Sequence, residues 1–354
     1  MKLRGVLYLF LAGFAGAAAA QNPVHAPALG PPPAAQSGPM ELDVVVTDKA
    51  GHPVPGLQQS DFTLLDDKQP ATIKSFHAFD STDPSTNPTQ VILLVDEVNT
   101  TFSAISTERD QLQIFLLQNQ GHLQFPVSMI FLTDTGMQTL NKPTTDGNAL
   151  NDQLKQKQSQ LRAITRSSGF YGAAERMQLS LQGLQTVATA AANVPGRKLL
   201  VWISPGWPIM NNPDVYVSEK QQKSFFGVIV ELSNSLRQSH VTLYSVDPLG
   251  AAAAAQIRNA EWRDFVKPVR NANHAEPADL ALQAIATQSG GEVLFGSNDV
   301  ASEISKFVED GTAWYALTFD SQRADAPNTW HDLEVKLDKA GLKVRTRNGY
   351  YAGP

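Results

Sequence analysis

The chain has no cysteine, so it can hold no disulfide, no metal thiolate and no lipid-modified Cys. It is short of charge of either sign, with 28 basic and 34 acidic side chains and a formal net charge of −6. No basic stripe stands out, which argues against a nucleic-acid partner. There is no Gly-x-Ser-x-Gly elbow, no His-Glu-x-x-His helix and no Gly-rich phosphate loop with Lys, so the common hydrolase, metalloprotease and nucleotide signatures are missing. The seven histidines are scattered singly, and one such as His240, just before a strand, reads as structural. No enzyme is expected.

Long apolar runs are also missing. The nearest, Val6 to Phe14, follows Met1-Lys2-Leu3-Arg4 and precedes Ala17-Ala18-Ala19-Ala20. A basic start, a short apolar centre and a small-residue exit make a secretory signal over residues 1–20, too short for a full membrane span. Cleavage after Ala20 would leave a secreted protein, periplasmic or extracellular, with no membrane span. Residues 21–39, dense in Pro and Ala around Pro31-Pro32-Pro33, read as an extended linker.

What is present is a set of strands and amphipathic helices. Val91-Ile92-Leu93-Leu94-Val95 is a strand buried on both faces, ending at Asp96. From there to residue 311 strands alternate with helices: 107–119, 148–161, 173–192, 220–238, 279–288 and 300–309 for helices, and 125–132, 199–204, 241–246 and 292–295 for strands. Such alternation implies a doubly wound α/β domain over 88–311 with a mostly parallel sheet and helices on both faces. Met137 to Leu140 fits a short edge strand, and Ala251 to Ala255 a low-complexity insertion.

Either side of this domain the pattern is β. Residues 40–82 offer Leu42, Val44 and Val46 on one face, then 61–65 and 73–76, with Asp66-Asp67 as turn formers. Residues 312–354 offer 313–319, 331–337 and 342–347, the middle run placing Leu333, Val335 and Leu337 inward. Neither arm makes a stable sheet alone, so the two are expected to form one small β-sandwich with the α/β domain inserted between them.

In an open α/β sheet ligands bind beyond the carboxyl ends of the strands, which here brings in Asp96-Glu97-Val98-Asn99-Thr100, Thr133-Asp134, Ser204-Pro205-Gly206-Trp207-Pro208 and Asp247-Pro248. The first of these, with Leu93 before it, resembles the first strand and metal loop of a von Willebrand factor type A domain, whose signature is Asp-x-Ser-x-Ser. Leu42 to Asp48 with Asp61-Phe62, Pro195 to Ser204, Leu243 to Pro248 and Arg345 to Tyr351 extend the likeness to a family of secreted bacterial proteins, known mainly from Acidobacteria, built on a type A-related domain. The resemblance covers nearly all of the mature chain and implies a type A-like fold, a protein partner and a divalent cation, Mg2+, Mn2+ or Ca2+, held by oxygen ligands.

This chain keeps Asp96 and Thr100 but has Val98 where a ligand is expected, and Ser204-Pro205-Gly206 where Ser-Asp-Gly is expected. The usual middle-loop Thr has no match, Ser180 lying deep in a helix. Asp134 and Asp247 could complete a modified site with Asp96 and Thr100, since a cation relieves repulsion among gathered carboxylates; the plainer reading, which weighs more, is that they are solvated strand ends. Glu97, Asn99, Ser204 and Trp207 are the residues expected to face a partner, although Trp207 could instead plug the domain. Arg197-Lys198 is expected to face solvent. The sequence therefore points to a secreted, non-enzymatic protein-binding, adhesion-like module with a degenerate metal site. The alternatives are a structural part of an envelope or secretion assembly and, third, a metal-assisted hydrolase using Asp96, Asp134 and Asp247.

Overall fold

The computed structural model describes residues 38–80, 88–100, 102–157, 169–209, 217–250, 261–322 and 326–352; the expected signal, most of the linker and the insertion at 251–255 lie outside them. The first arm supplies β1 (Pro39–Thr47), β2 (Phe62–Asp66), β3 (Gln69–Ala71) and β4 (Ser75–Asp80). The α/β domain follows, with β5 (Gln90–Asp96), α1 (Phe102–Leu116), β6 (His122–Thr133), β7 (Gly136–Thr139), β8 (Thr144–Asp146), α2 (Gly147–Gln156), α3 (Phe170–Ala192), β9 (Lys198–Ile203), α4 (Glu219–Gln238), β10 (Val241–Val246), α5 (Leu282–Gln288), β11 (Val293–Leu294) and α6 (Val300–Glu309). The second arm is β12 (Ala313–Asp320), β13 (Thr329–Leu337), β14 (Lys343–Arg345) and β15 (Gly349–Ala352).

The central sheet runs β11-β10-β9-β5-β6-β7, with β8 also on β6. Its pairings among β5, β6, β9, β10 and β11 are parallel, and β7 and β8 add antiparallel edges. Period-two alternation sorts its side chains between layers. Val91, Leu93 and Val95 of β5 pack with Leu112, Phe115, Leu150 and Phe307 from α1, α2 and α6. Leu94, by contrast, packs with Leu181, Leu184, Leu232 and Leu236 from α3 and α4. Asp96 continues the Leu94 face.

The arms form two four-stranded sheets, β14-β1-β12-β4 and β15-β13-β2-β3, around one core containing Leu42, Val44, Phe62, Leu64, Leu317, Phe319, Leu333 and Tyr350. Strands from both ends of the chain share each sheet, because neither arm has enough apolar surface to close a core by itself. The helix expected over 279–288 is broken at Ala281, whose extended backbone separates a 3-10 turn from α5.

Arg197 and Lys198 do not face solvent: they are 1% and 2% exposed. Arg197 donates to the Asp310 carbonyl at 2.8 Å and to the Tyr244 hydroxyl at 3.2 Å, and lies over the Trp314 ring of the sandwich. The pair sits where the two domains meet, so carbonyls and rings replace the expected water.

Candidate functional site

β5 is the strand from which the chain winds to β6 on one side and β9 on the other. The carboxyl ends of β5 and β9 therefore flank the crevice where an open α/β sheet takes its ligand. Asp96 stands at that point, fully buried. Its Oδ1 accepts from the backbone N–H of Val98 at 3.0 Å and of Asn99 at 2.9 Å, so the turn after the strand folds back onto the carboxylate. Its Oδ2 accepts from Asn99 Nδ2 at 2.8 Å and from the indole Nε1 of Trp202 at 2.9 Å. Burial pushes the Asp96 carboxyl above its ordinary range, although Asn99, Trp202 and Ser204 all hydrogen-bond it and oppose the rise.

Asn99 Nδ2 also lies 2.8 Å from Ser180 Oγ, and that hydroxyl donates to the Arg176 carbonyl. Ser180, set aside in the sequence as too deep in a helix, is thus part of the network, because α3 runs alongside the strand end.

These residues do not fit a divalent cation of the type A kind. Both oxygens of Asp96 face N–H donors, which cannot coordinate a metal. Asp247 is buried at the end of β10, where it accepts from Leu249 N–H at 2.9 Å. Asp134 is half-buried in the β6–β7 turn, and Thr100 is half-buried after β5. Among the described residues the groups of three carboxylate or imidazole ligands within 4.8 Å of one another include none of Asp96, Asp134 and Asp247. The expected ligand set shares one edge of the sheet without converging.

Three of the four residues expected to face a partner are buried. Trp207 is 3% exposed and packs edge-on against Trp202, ring centroids 5.0 Å apart at 73°. It fills the crevice, since an indole excluded from water gains more by covering another indole than by standing in solvent. Ser204 is fully buried and accepts from Gly206 N–H at 3.2 Å. Gly206, at φ 105° where a side chain is strained, lies under Gln283, whose Nε2 would be 2.4 Å from a Cβ there, so α5 closes the loop from above. Glu97 is 6% exposed, its Oε2 3.9 Å from Lys157 Nζ, and that ammonium lies 4.0 Å from the Phe131 ring centroid. Only Asn99 stays half-exposed.

The sequence reading also missed Glu108. Fully buried on α1, it has no hydrogen-bond partner for either carboxylate oxygen. Burial and the charges of Asp96, Glu97 and Asp247 push it well up. The signal was there in the spacing: Glu108 falls three residues after Ile105 and four before Leu112, on the apolar stripe of the helix.

Compared with known proteins, the chain matches no family model and no curated protein. Among solved structures it is similar to the conserved hypothetical protein BatB from Bacteroides thetaiotaomicron, at 11% identity and a TM-score of 0.32, over 63% of this chain and 98% of that one. It is similar to the human COPII-coat protein Sec24c at 10% identity and a TM-score of 0.31, over 79% and 47%. A third likeness is to the TFIIH p34 N-terminal domain, at 11% identity and a TM-score of 0.23, over 45% and 80%. Likenesses this slight assign no family and no activity. Among the described residues no helix is long and apolar enough to cross a membrane.

Proposed function

We propose that the chain is a secreted, non-enzymatic protein-interaction module of the type A-related kind whose binding needs no cation. The observation that carries this reading is the closed carboxylate: Asp96 is saturated by Val98, Asn99 and Trp202. Trp207, packed on Trp202, occupies the crevice above it. A domain that keeps the scaffold and seals the ligand crevice has a rim left to present, formed by Asn99, Thr100 and the β6–β7 turn at Asp134 and Thr135.

Photo-crosslinking tests this reading. A crosslinking side chain at Thr135, exposed on the rim, is compared with one at Ile114, 53% exposed on the last turn of α1 at the opposite edge. Secreted protein is irradiated in its own extracytoplasmic fraction, with chelator and with Mg2+. A protein adduct from Thr135 in both conditions supports the proposal. An adduct seen only with Mg2+, or only from Ile114, overturns it.

A further inference from the structure

The β-sandwich contains a second constellation, remote from the crevice and independent of the reading above. β2 and β3 pair with Asp66 opposite Gln69, so Asp67 and Lys68 are the two loop residues of a tight hairpin, with φ of 47° and 67°. Both positive angles mark a type I′ turn. The turn lies against β13: Asp67 N–H donates to the Asp332 carbonyl at 2.9 Å, and Asp67 Oδ1 accepts from Asp332 N–H at 2.9 Å. This exchange extends the β2–β13 ladder by one step and brings His331, the inward residue before Asp332, against the hairpin.

Three side chains meet there. His331 Nδ1 is 2.7 Å from Asp67 Oδ2 and 4.0 Å from Asp66 Oδ1. The ligand atoms of all three residues lie within 4.8 Å of one another. The His331 ring stacks on Tyr350, its cross-strand neighbour, with centroids 5.1 Å apart at 14°. Tyr350 donates its hydroxyl to Asp66 Oδ2 at 2.7 Å. Ring and carboxylate are thereby held in place by a residue that is not itself a ligand, the role a supporting shell plays around a metal.

An observation independent of the clustering concerns Asp66 Oδ1. The Asp66 side chain is 2% exposed and that of His331 8%. Asp66 Oδ1, directed at His331, has no hydrogen-bond partner, and neither has His331 Nε2. A buried carboxylate oxygen without a donor is costly, and two acidic side chains converging on one imidazole favour a positive charge between them, whether the imidazolium's proton or a metal ion. Nearby Arg270 does not supply it, its guanidinium being paired with Asp332.

The other such cluster, Glu41, Asp43 and His240, is different. Its Glu41 side chain is 44% exposed, and His240, with Arg197 and Arg347 behind it, already holds Asp43 below its ordinary range despite burial. Fixed cations serve there, and no ion is called for.

We propose that Asp66, Asp67 and His331 bind a divalent first-row cation, zinc fitting best, with Asp67 as the solvent-facing ligand and water completing the shell. One imidazole and two carboxylates suit zinc better than the all-oxygen preference of magnesium or calcium. Bonds of about 2.1 Å in a tetrahedron put ligand atoms about 3.4 Å apart. The His331–Asp67 contact must then open and the His331–Asp66 distance close, each by less than about 1 Å. The ion takes the place of the proton between His331 Nδ1 and Asp67, which a neutral ring passes to its own Nε2 and an imidazolium, already protonated there, gives up to solvent. His331 Nε2 lacks the acceptor that usually supports a ligating imidazole, a deficit of about 10–100-fold in affinity.

The test is titration of the full chain, first stripped with chelator, with zinc chloride, followed by calorimetry and melting temperature. Expected is one zinc per chain and a melting point that rises with zinc and falls back in chelator. Asp67→Asn keeps the turn, because Asn tolerates positive φ, and should weaken binding at least tenfold while leaving the zinc-free melting point within a degree or so. Asp43→Asn should bind zinc as the wild type does. A wild-type chain with no saturable zinc binding, or an Asp67→Asn chain that binds unchanged, overturns the assignment; loss in Asp43→Asn would move the site to His240.

Discussion

Trp202 donates its indole N–H to Asp96 Oδ2 at 2.9 Å from the neighbouring parallel strand. A tryptophan therefore stands where a metal ion's positive charge would otherwise meet the carboxylate, and the largest fully buried side chain among the described residues is also a hydrogen-bond donor to it. Removing the donor while keeping an aromatic ring tests its weight. Trp202→Phe should destabilise the fold by at least about 1.5–3 kcal/mol, the usual worth of a hydrogen bond to a charged group, with the cavity left by the smaller ring adding to it, read from the denaturant midpoint at constant slope.

Asp96→Asn is the complementary change. Four N–H groups point at two acceptor oxygens, and an amide offers only one oxygen. The amide NH2 would face other donors, so a loss of about 2–3 kcal/mol is expected from equilibrium unfolding, with no difference between chelator and Mg2+. Restoring the two missing type A ligands by Val98→Ser with Pro205→Asp should not by itself create a magnesium-dependent shift in melting point, since Asp96 remains bonded to Trp202.

Glu108 gives a pH dependence with a definite sign. Its folded-state pKa is raised well above the ordinary 4.5, first by burial and then by Asp96, Glu97 and Asp247. A raised carboxyl contributes stability below 4.5 that is lost as pH climbs through the folded value. Glu108→Gln should therefore leave stability at pH 4 nearly unchanged and raise it increasingly toward pH 8, each kcal/mol gained appearing as about 2–4 °C in melting point. A melting-temperature profile that runs parallel to the wild type would refute this.

His240 and Asp43 titrate in opposite senses to each other at the seam between the domains, His240 Nδ1 lying 3.6 Å from Asp43 Oδ1. The Asp43 carboxylate beside it raises His240 above 6.5 despite partial burial. Asp43 is raised by its burial, but His240, Arg197 and Arg347 more than offset this and leave it below 3.8. The histidine's contribution is full below 6.5 and fades as pH rises through its folded value, while that of Asp43 is full above 3.8 and fades as pH falls. His240 also sits at φ 52°, just past the end of α4, so His240→Asn fits the backbone. That variant should lose the stability decline above pH 6.5 while keeping the fold, as followed by circular dichroism.

Gly349 explains why the run before Tyr350-Tyr351 needs a glycine. A Cβ there would be 2.2 Å from the Trp330 ring and 2.3 Å from the His331 carbonyl. Gly349→Ala should cost about 3 kcal/mol, the upper end for overpacking, and should loosen the Trp330–Tyr351 contact, now 4.8 Å between centroids, visibly in tryptophan fluorescence.

The sheet was legible because β5, β9 and β10 are runs of apolar residues long enough to be buried on both faces, and α3, α4 and α6 carry clean helical spacing. β3 and β15 were not, being 3 and 4 residues long with no room for a period to show. The site was half legible. Asp96 announced itself at a strand end, but its partner lies on another strand, and the register that sets Leu94 beside Trp202 is a property of the pair, carried by neither segment alone. Trp207 was undecided for the same reason: whether a loop indole points out or in depends on the neighbour it can cover.

The pairing of Leu42 with Leu317, and of Val46 with Val344, also sets an order of events during synthesis. The α/β domain has all its strands and helices once α6 is made and can collapse at that point, because its pairings are internal to it. β1 meanwhile waits with both edges bare, its neighbours made only after α6. Folding of this chain is therefore expected to finish with a slow closure of its two β arms, and until then the exposed β1 edge is the segment a chaperone must cover.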